Sequence, residues 1–169
     1  MNTQKTLLAT GLMAIAIAQP TAWAGPKDVP FKASLAAQEV LALYPADGPC
    51  AGFFAQGTTA VIGKASHLGR VAGVGSDCIK LTHIGPPPSF AFENGELTVT
   101  AANGDRLTLS YSGTFIPTAQ PPIYAISGLF QITGGTGRFA HATGSGFLEG
   151  TENISTFQGQ LELSGKISY

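Results

Sequence analysis

The chain has 169 residues, nine Lys or Arg against ten Asp or Glu, and a formal net charge of −1, with only 11% of its residues charged. No concentrated basic face is available for nucleic acid or for an anionic membrane surface, which argues against both as partners. With 22 glycines and so few charges, its surface must be covered by Ser, Thr, Asn, Gln and backbone, a composition that suits strands and turns.

The chain opens on Met1-Asn2-Thr3-Gln4-Lys5, one positive charge ahead of an apolar run over residues 7–18. That run is shorter than the roughly 20 residues a bilayer span needs, and Ala22-Trp23-Ala24 has the small-x-small pattern of a signal cleavage site. Residues 1–24 therefore read as a secretory signal peptide. The expected mature chain begins at Gly25, has no membrane attachment and works in the periplasm or outside the cell. Its 145 residues are the size of one domain.

Residues 25–56 read as an N-terminal extension that includes a first strand or a short helix. Over residues 31–44 the Ala, Leu, Gln and Glu content favours helix, whereas Val40-Leu41-Ala42-Leu43-Tyr44 favours strand, so both readings stand. Cys50 and Cys78 are an even pair in an oxidising compartment and are expected to form a disulfide; neither lies in a Cys-x-x-Cys or nucleophile motif.

The barrel or sandwich domain is expected over 57–169, where Gly or Pro interrupts nearly every window long enough for three helical turns. Strands are predicted at 58–64, 69–74 and 90–92, then at 96–101 and 107–112 as a hairpin about Asn103-Gly104, whose residue types favour a tight turn with positive φ. Further strands follow at 124–133 and 144–151. In the last strand Phe157, Leu161, Leu163, Ile167 and Tyr169 alternate with polar residues. Pro86-Pro87-Pro88 and residues 117–122 are loops. About eight strands at this spacing suggest a sandwich or a closed barrel, and closure removes exposed sheet edges.

Motifs for chemistry are sparse. The run Gly134-Gly135-Thr136-Gly137 is not followed by a helix and a βαβ unit, so it reads as a turn or bulge and not as a dinucleotide loop. Gly-x-Ser-x-Gly is absent. His67, His83 and His141 lack metal-ligand spacing, and no metal or cofactor is expected. Asn153-Ile154-Ser155 has the form of a glycosylation sequon.

Four segments carry a resemblance: Ala65-Ser66-His67-Leu68-Gly69-Arg70; Ala101-Ala102-Asn103-Gly104-Asp105-Arg106-Leu107; Ile132-Thr133-Gly134-Gly135-Thr136-Gly137-Arg138-Phe139 with Ala142-Thr143-Gly144-Ser145-Gly146; and Leu163-Ser164-Gly165-Lys166-Ile167-Ser168-Tyr169. Together they resemble secreted bacterial proteins with an allene oxide cyclase barrel-like, or dirigent-like, domain of the calycin type. The resemblance implies an all-β fold, a single antiparallel eight-stranded β-barrel, whose interior can hold a small apolar ligand. Such barrels include enzymes that cyclise a fatty-acid epoxide and proteins that steer phenoxy-radical coupling.

Three functions follow as expectations. The first is binding of a small hydrophobic or phenolic molecule in the barrel. The second is an isomerase, cyclase or dirigent-like stereo-directing role in the same cavity, and the third a packed structural or surface-interaction barrel. The packed reading needs an interior filled by Phe90, Phe92, Tyr111, Phe115, Tyr124, Phe130, Phe139 and Phe147. For a catalytic role the candidate residues are His67, Arg70, Asp105, Arg138 and His141, which sit beside turns where strands enter or leave the barrel. Arg70 and Arg138 read more readily as structural donors to carbonyls across a barrel end than as ligand contacts. The resemblance also leaves room for a homo-oligomer.

Overall fold

The protein is described by a computed structural model over residues 27–169; the signal peptide read over 1–24 lies outside the described residues. Eight strands follow in order: β1 Val29–Leu43, β2 Ala55–Ala65, β3 Gly69–His83, β4 Ser89–Ala101, β5 Arg106–Pro117, β6 Ile123–Gly135, β7 Thr143–Asn153 and β8 Gln158–Ser168. Each pairs antiparallel with the next, and β8 pairs back onto β1, so the sheet closes on itself. No strand is left with a free edge. This is the all-β eight-stranded barrel expected from the strand count and the resemblance.

Residues 31–43 belong to β1, with Tyr44 just beyond its end, and the helix alternative falls. Phe31, Ala33, Leu35, Ala37, Glu39 and Leu41 share the inward face, while Lys32, Ser34, Gln38 and Val40 face out. Hydrogen bonding to β2 on one side and β8 on the other outweighs the local helix propensity. The barrel wall thus begins within the segment read as an extension.

The predicted strands at 90–92 and 96–101 are one strand, β4, interrupted by a bulge. Phe92 faces Gly113 and Gly95 faces Tyr111, so three steps on β4 match two on β5. Asn94 takes up the extra residue at φ 54. The bulge shifts the alternation, and both Phe92 and Gly95 end on the buried side.

The two ends differ. At the end bearing the β2–β3, β4–β5 and β6–β7 connections, Phe31, Leu107, Ile132, Phe139 and Ile167 are fully buried and plug the barrel. Phe139 arrives there on a 3₁₀ turn, Gly137–Phe139. The opposite end carries the loops 44–54, 84–88, 118–122 and 154–157. There the expected Cys50–Cys78 disulfide, spanning 28 residues, pins the first loop to β3. A loop of that length corresponds to roughly 3 to 4 kcal/mol on the chain-entropy model.

Of the eight aromatics expected inside, Phe147 is a correction. It is 62% exposed, because β7 turns its even-numbered residues inward and its odd-numbered ones to solvent. Among the described residues no helix is long and apolar enough to cross a membrane.

Candidate functional site

The alternation that buries apolar side chains along the odd-numbered strands also buries four polar ones. Glu39 of β1, Asp77 of β3, Tyr111 of β5 and Glu152 of β7 all line one chamber inside the barrel. Glu39 and Asp77 are each 5% exposed and Glu152 7%. Carboxyl groups are almost never buried this far without a partner, so their presence needs an explanation.

Space for them comes from glycines on the even-numbered strands. Gly57 stands directly opposite Asp77, Gly95 opposite Tyr111 and Gly159 opposite Glu152. A methyl group on Gly57 would lie 2.9 Å from Asp77 Oδ1 and press on the Glu39 carboxyl, and one on Gly95 would lie 2.6 Å from the Tyr111 ring. Both are closer than carbon atoms tolerate, so a side chain at either position would evict a polar neighbour.

The chamber holds about 40 Å³, enough for two or three waters. It meets a wider mouth of about 130 Å³ that shares Glu39, Phe115 and Glu152 and is walled by Leu41, Phe54, Ile79, Phe90, Ile154 and Phe157. The result is a funnel with aromatic walls and an acidic floor, open at the loop end. Its rim is tied to the sheet. The backbone N–H of Glu39 donates to the Phe157 carbonyl at 2.9 Å, Gln38 Nε2 donates to the same oxygen at 3.1 Å, and the Phe54 N–H donates to the Ile79 carbonyl at 2.9 Å. The disulfide that holds the 44–54 loop therefore also holds Phe54 against the mouth.

Among the residues lining chamber and mouth there is no Lys, Arg or His to neutralise the acids. Burial accordingly pushes the Glu39 carboxyl up to about 9, helped by the nearby charges of Glu152 and Asp77. Burial raises Glu152 to about 7, with the Asp77 charge adding to it. Asp77 is raised by burial too, partly offset by Tyr111, whose hydroxyl donates to Asp77 Oδ2 at 2.8 Å. Burial and the Asp77 charge keep the Tyr111 phenol neutral, a donor. Asp77 Oδ1 is buried with no hydrogen-bond partner among the described residues.

At neutral pH the floor thus holds a protonated carboxyl at Glu39, an acid poised near half-ionisation at Glu152, and an unsatisfied acceptor at Asp77. Two carboxyls held at different protonation states are the kind of pair that can donate a proton at one and accept it at the other. Among the described residues no group of three or more His, Cys, Asp or Glu is placed to hold a metal ion.

The five residues singled out in the sequence lie at the other, plugged end, and none lines the funnel. His67 occupies the β2–β3 turn at φ 67, its Nε2 donating to the Pro30 carbonyl at 2.9 Å. Arg70 and His141 are exposed. Arg138 Nε approaches Asp105 Oδ2 at 3.8 Å, and its guanidinium covers the Phe139 ring at 4.9 Å. The structure thus joins Arg138 to Asp105 and leaves the other three apart. An exposed pair at this distance contributes less than about 1 kcal/mol. Replacing Arg138 by Ala is expected to lower the melting temperature by only a few degrees, as a thermal melt would report.

Glu39, Asp77 and Glu152 went unmarked in the sequence. The signal that finds them is a charged residue in phase with inward apolar neighbours, as in Phe31-x-Ala33-x-Leu35-x-Ala37-x-Glu39.

No family model and no curated protein matches the chain. Among solved structures it is similar to that of the pterocarpan synthase dirigent protein, at 15% sequence identity, over 88% of this chain and 89% of that one, with a TM-score of 0.46. What the funnel does rests on the residues that build it.

Proposed function

We propose that the protein binds a small, mostly hydrophobic molecule in the barrel, entering at the loop end with its apolar body between Phe54, Phe90, Phe115 and Phe157 and a polar head toward the acids. One observation carries this reading: an aromatic funnel that ends on Asp77 Oδ1, a buried acceptor that nothing among the described residues satisfies. A buried acceptor left alone costs about 1 to 3 kcal/mol, and a bound donor recovers it. Most ligand pockets share this construction, apolar walls with a few placed polar groups.

A second reading, an isomerase, cyclase or dirigent-like stereo-directing protein, is favoured by the unequal protonation of Glu39 and Glu152. In it Glu39 would protonate the bound molecule and the Glu152 carboxylate would take a proton from it, while the walls hold one conformer. The disulfide suits the periplasmic or secreted location we propose.

Native mass spectrometry of the protein purified from its own compartment tests the binding reading. The expected result is a reproducible small-molecule adduct that organic extraction removes and that the Gly57→Leu variant, with its chamber filled, does not carry. An empty protein that also binds no member of a panel of lipophilic dyes and phenolics would shift the reading to a packed structural barrel.

A further inference from the structure

The small-molecule reading leaves the chemistry of the polar head open, and the charge balance of the funnel narrows it. Three carboxyls and a phenol reach the chamber, from β1, β3, β5 and β7, while β2, β4, β6 and β8 present only glycine, Thr59 and apolar side chains. Every charged group there is therefore an acid.

We propose that the site takes an organic cation, a small aromatic or apolar body bearing a protonated amine; the proposal rests on the small-molecule reading above. In the empty site, protons on the carboxyls offset the missing positive charge. An ammonium would replace them with a charge that brings its own N–H donors. One N–H would satisfy Asp77 Oδ1, buried and without a partner, and others would reach Glu39 and Glu152. Charge-assisted bonds of this kind are roughly twice as strong as neutral ones.

The walls point to the same class. Phe54, Phe90, Phe115 and Phe157 line the mouth and Phe92 the chamber, and ring faces attract cations most where water is excluded. An anion, by contrast, would meet three acids and no cation, with only the hydroxyls of Tyr111 and Thr59 and whichever carboxyl is protonated as donors. A neutral alcohol falls between, able to donate to Asp77 and unable to neutralise it.

Isothermal titration of the oxidised protein at pH 7.5 with three probes of one aromatic body tests the proposal: 2-phenylethylamine, 2-phenylethanol and 3-phenylpropionate. The amine is expected to bind at least about tenfold tighter than the alcohol, and the carboxylate more weakly than both. Asp77→Asn should cut the amine's advantage to under about threefold and leave the alcohol's affinity nearly unchanged. Should Asp77→Asn fail to fold, Glu152→Gln serves in its place, with the same loss of preference expected. An alcohol that binds as well as the amine, or an amine preference that survives both substitutions, would overturn the cation inference while the binding reading stands. If none of the three binds, the cation inference falls, and the native mass-spectrometric test above decides by itself whether the binding reading stands.

Discussion

Between pH 5 and pH 9 the folded protein is expected to lose stability steadily as the solution becomes more alkaline, by several kcal/mol in all. The sign follows from the buried acids. Glu39 has its carboxyl raised from 4.5 to about 9 and Glu152 from 4.5 to about 7, each by burial before any other cause. A carboxyl raised on folding binds more protons in the folded state than in the unfolded one. Its contribution to stability is fully present below the unfolded value and is lost as pH climbs to the folded value. Each group adds a slope of about 1.4 kcal/mol per pH unit within its window. Both act between roughly pH 4.5 and 7, and Glu39 continues to about 9; Asp77, also raised, steepens the same trend.

Urea midpoints taken at pH 5, 7 and 9 would show the decline. Glu39→Gln, which imitates the protonated acid, should flatten the upper part of the curve and make the variant more stable than the parent at pH 9. A flat or rising profile in the parent would mean that the acids are solvated or paired, and the reading of the funnel floor would be lost with them.

Why these acids escaped notice in the sequence is a matter of phase. The hairpin about Asn103-Gly104 was legible because both of its strands alternate without interruption, and the turn forms as expected, with Gly104 at φ 89. Tyr111 was placed inside on that same alternation. Glu39 sits in an alanine-rich stretch whose composition speaks for helix as well as strand, so no face could be assigned until β2 and β8 were paired against it. Asp77 lies where the register between β3 and β4 slips, between Ser76 and Cys78. Glu152 follows Gly144, Gly146 and Gly150 on its inward face, and a glycine carries no sign of which side it faces.

The number of strands came out right through two readings that offset each other. The bulge at Asn94 split β4 into two short segments, and the ambiguity at 31–44 kept β1 from being counted among the certain strands. Closure is a global property and survives such exchanges, because eight staves of any phase still close. A site does not survive them, since it depends on which side chain of each stave points in. In the sequence, polar side chains such as Arg138, Asp105 and His67 stand out at the turns, where no inward phase has to be assigned to see them.

The two ends of the barrel can be separated by one substitution at the plugged end. Phe139→Ala is expected to cost about 3 to 5 kcal/mol, the range for deleting a fully buried aromatic. Phe139 has no exposed surface, its ring lies 4.9 Å from that of Tyr169, and it closes the barrel beneath Arg138. The cavity left behind would be apolar and remote from the acids, so a small-molecule probe that binds the parent should bind the folded variant with unchanged affinity at low temperature, where the variant remains native. Chemical denaturation gives the first quantity and titration below the variant's transition gives the second. A stability loss below about 1 kcal/mol would mean that the plug is not packed as described. A variant that folds and yet loses binding would place the ligand at the Arg138 end, and His67, Asp105 and Arg138 would then return as the residues to test.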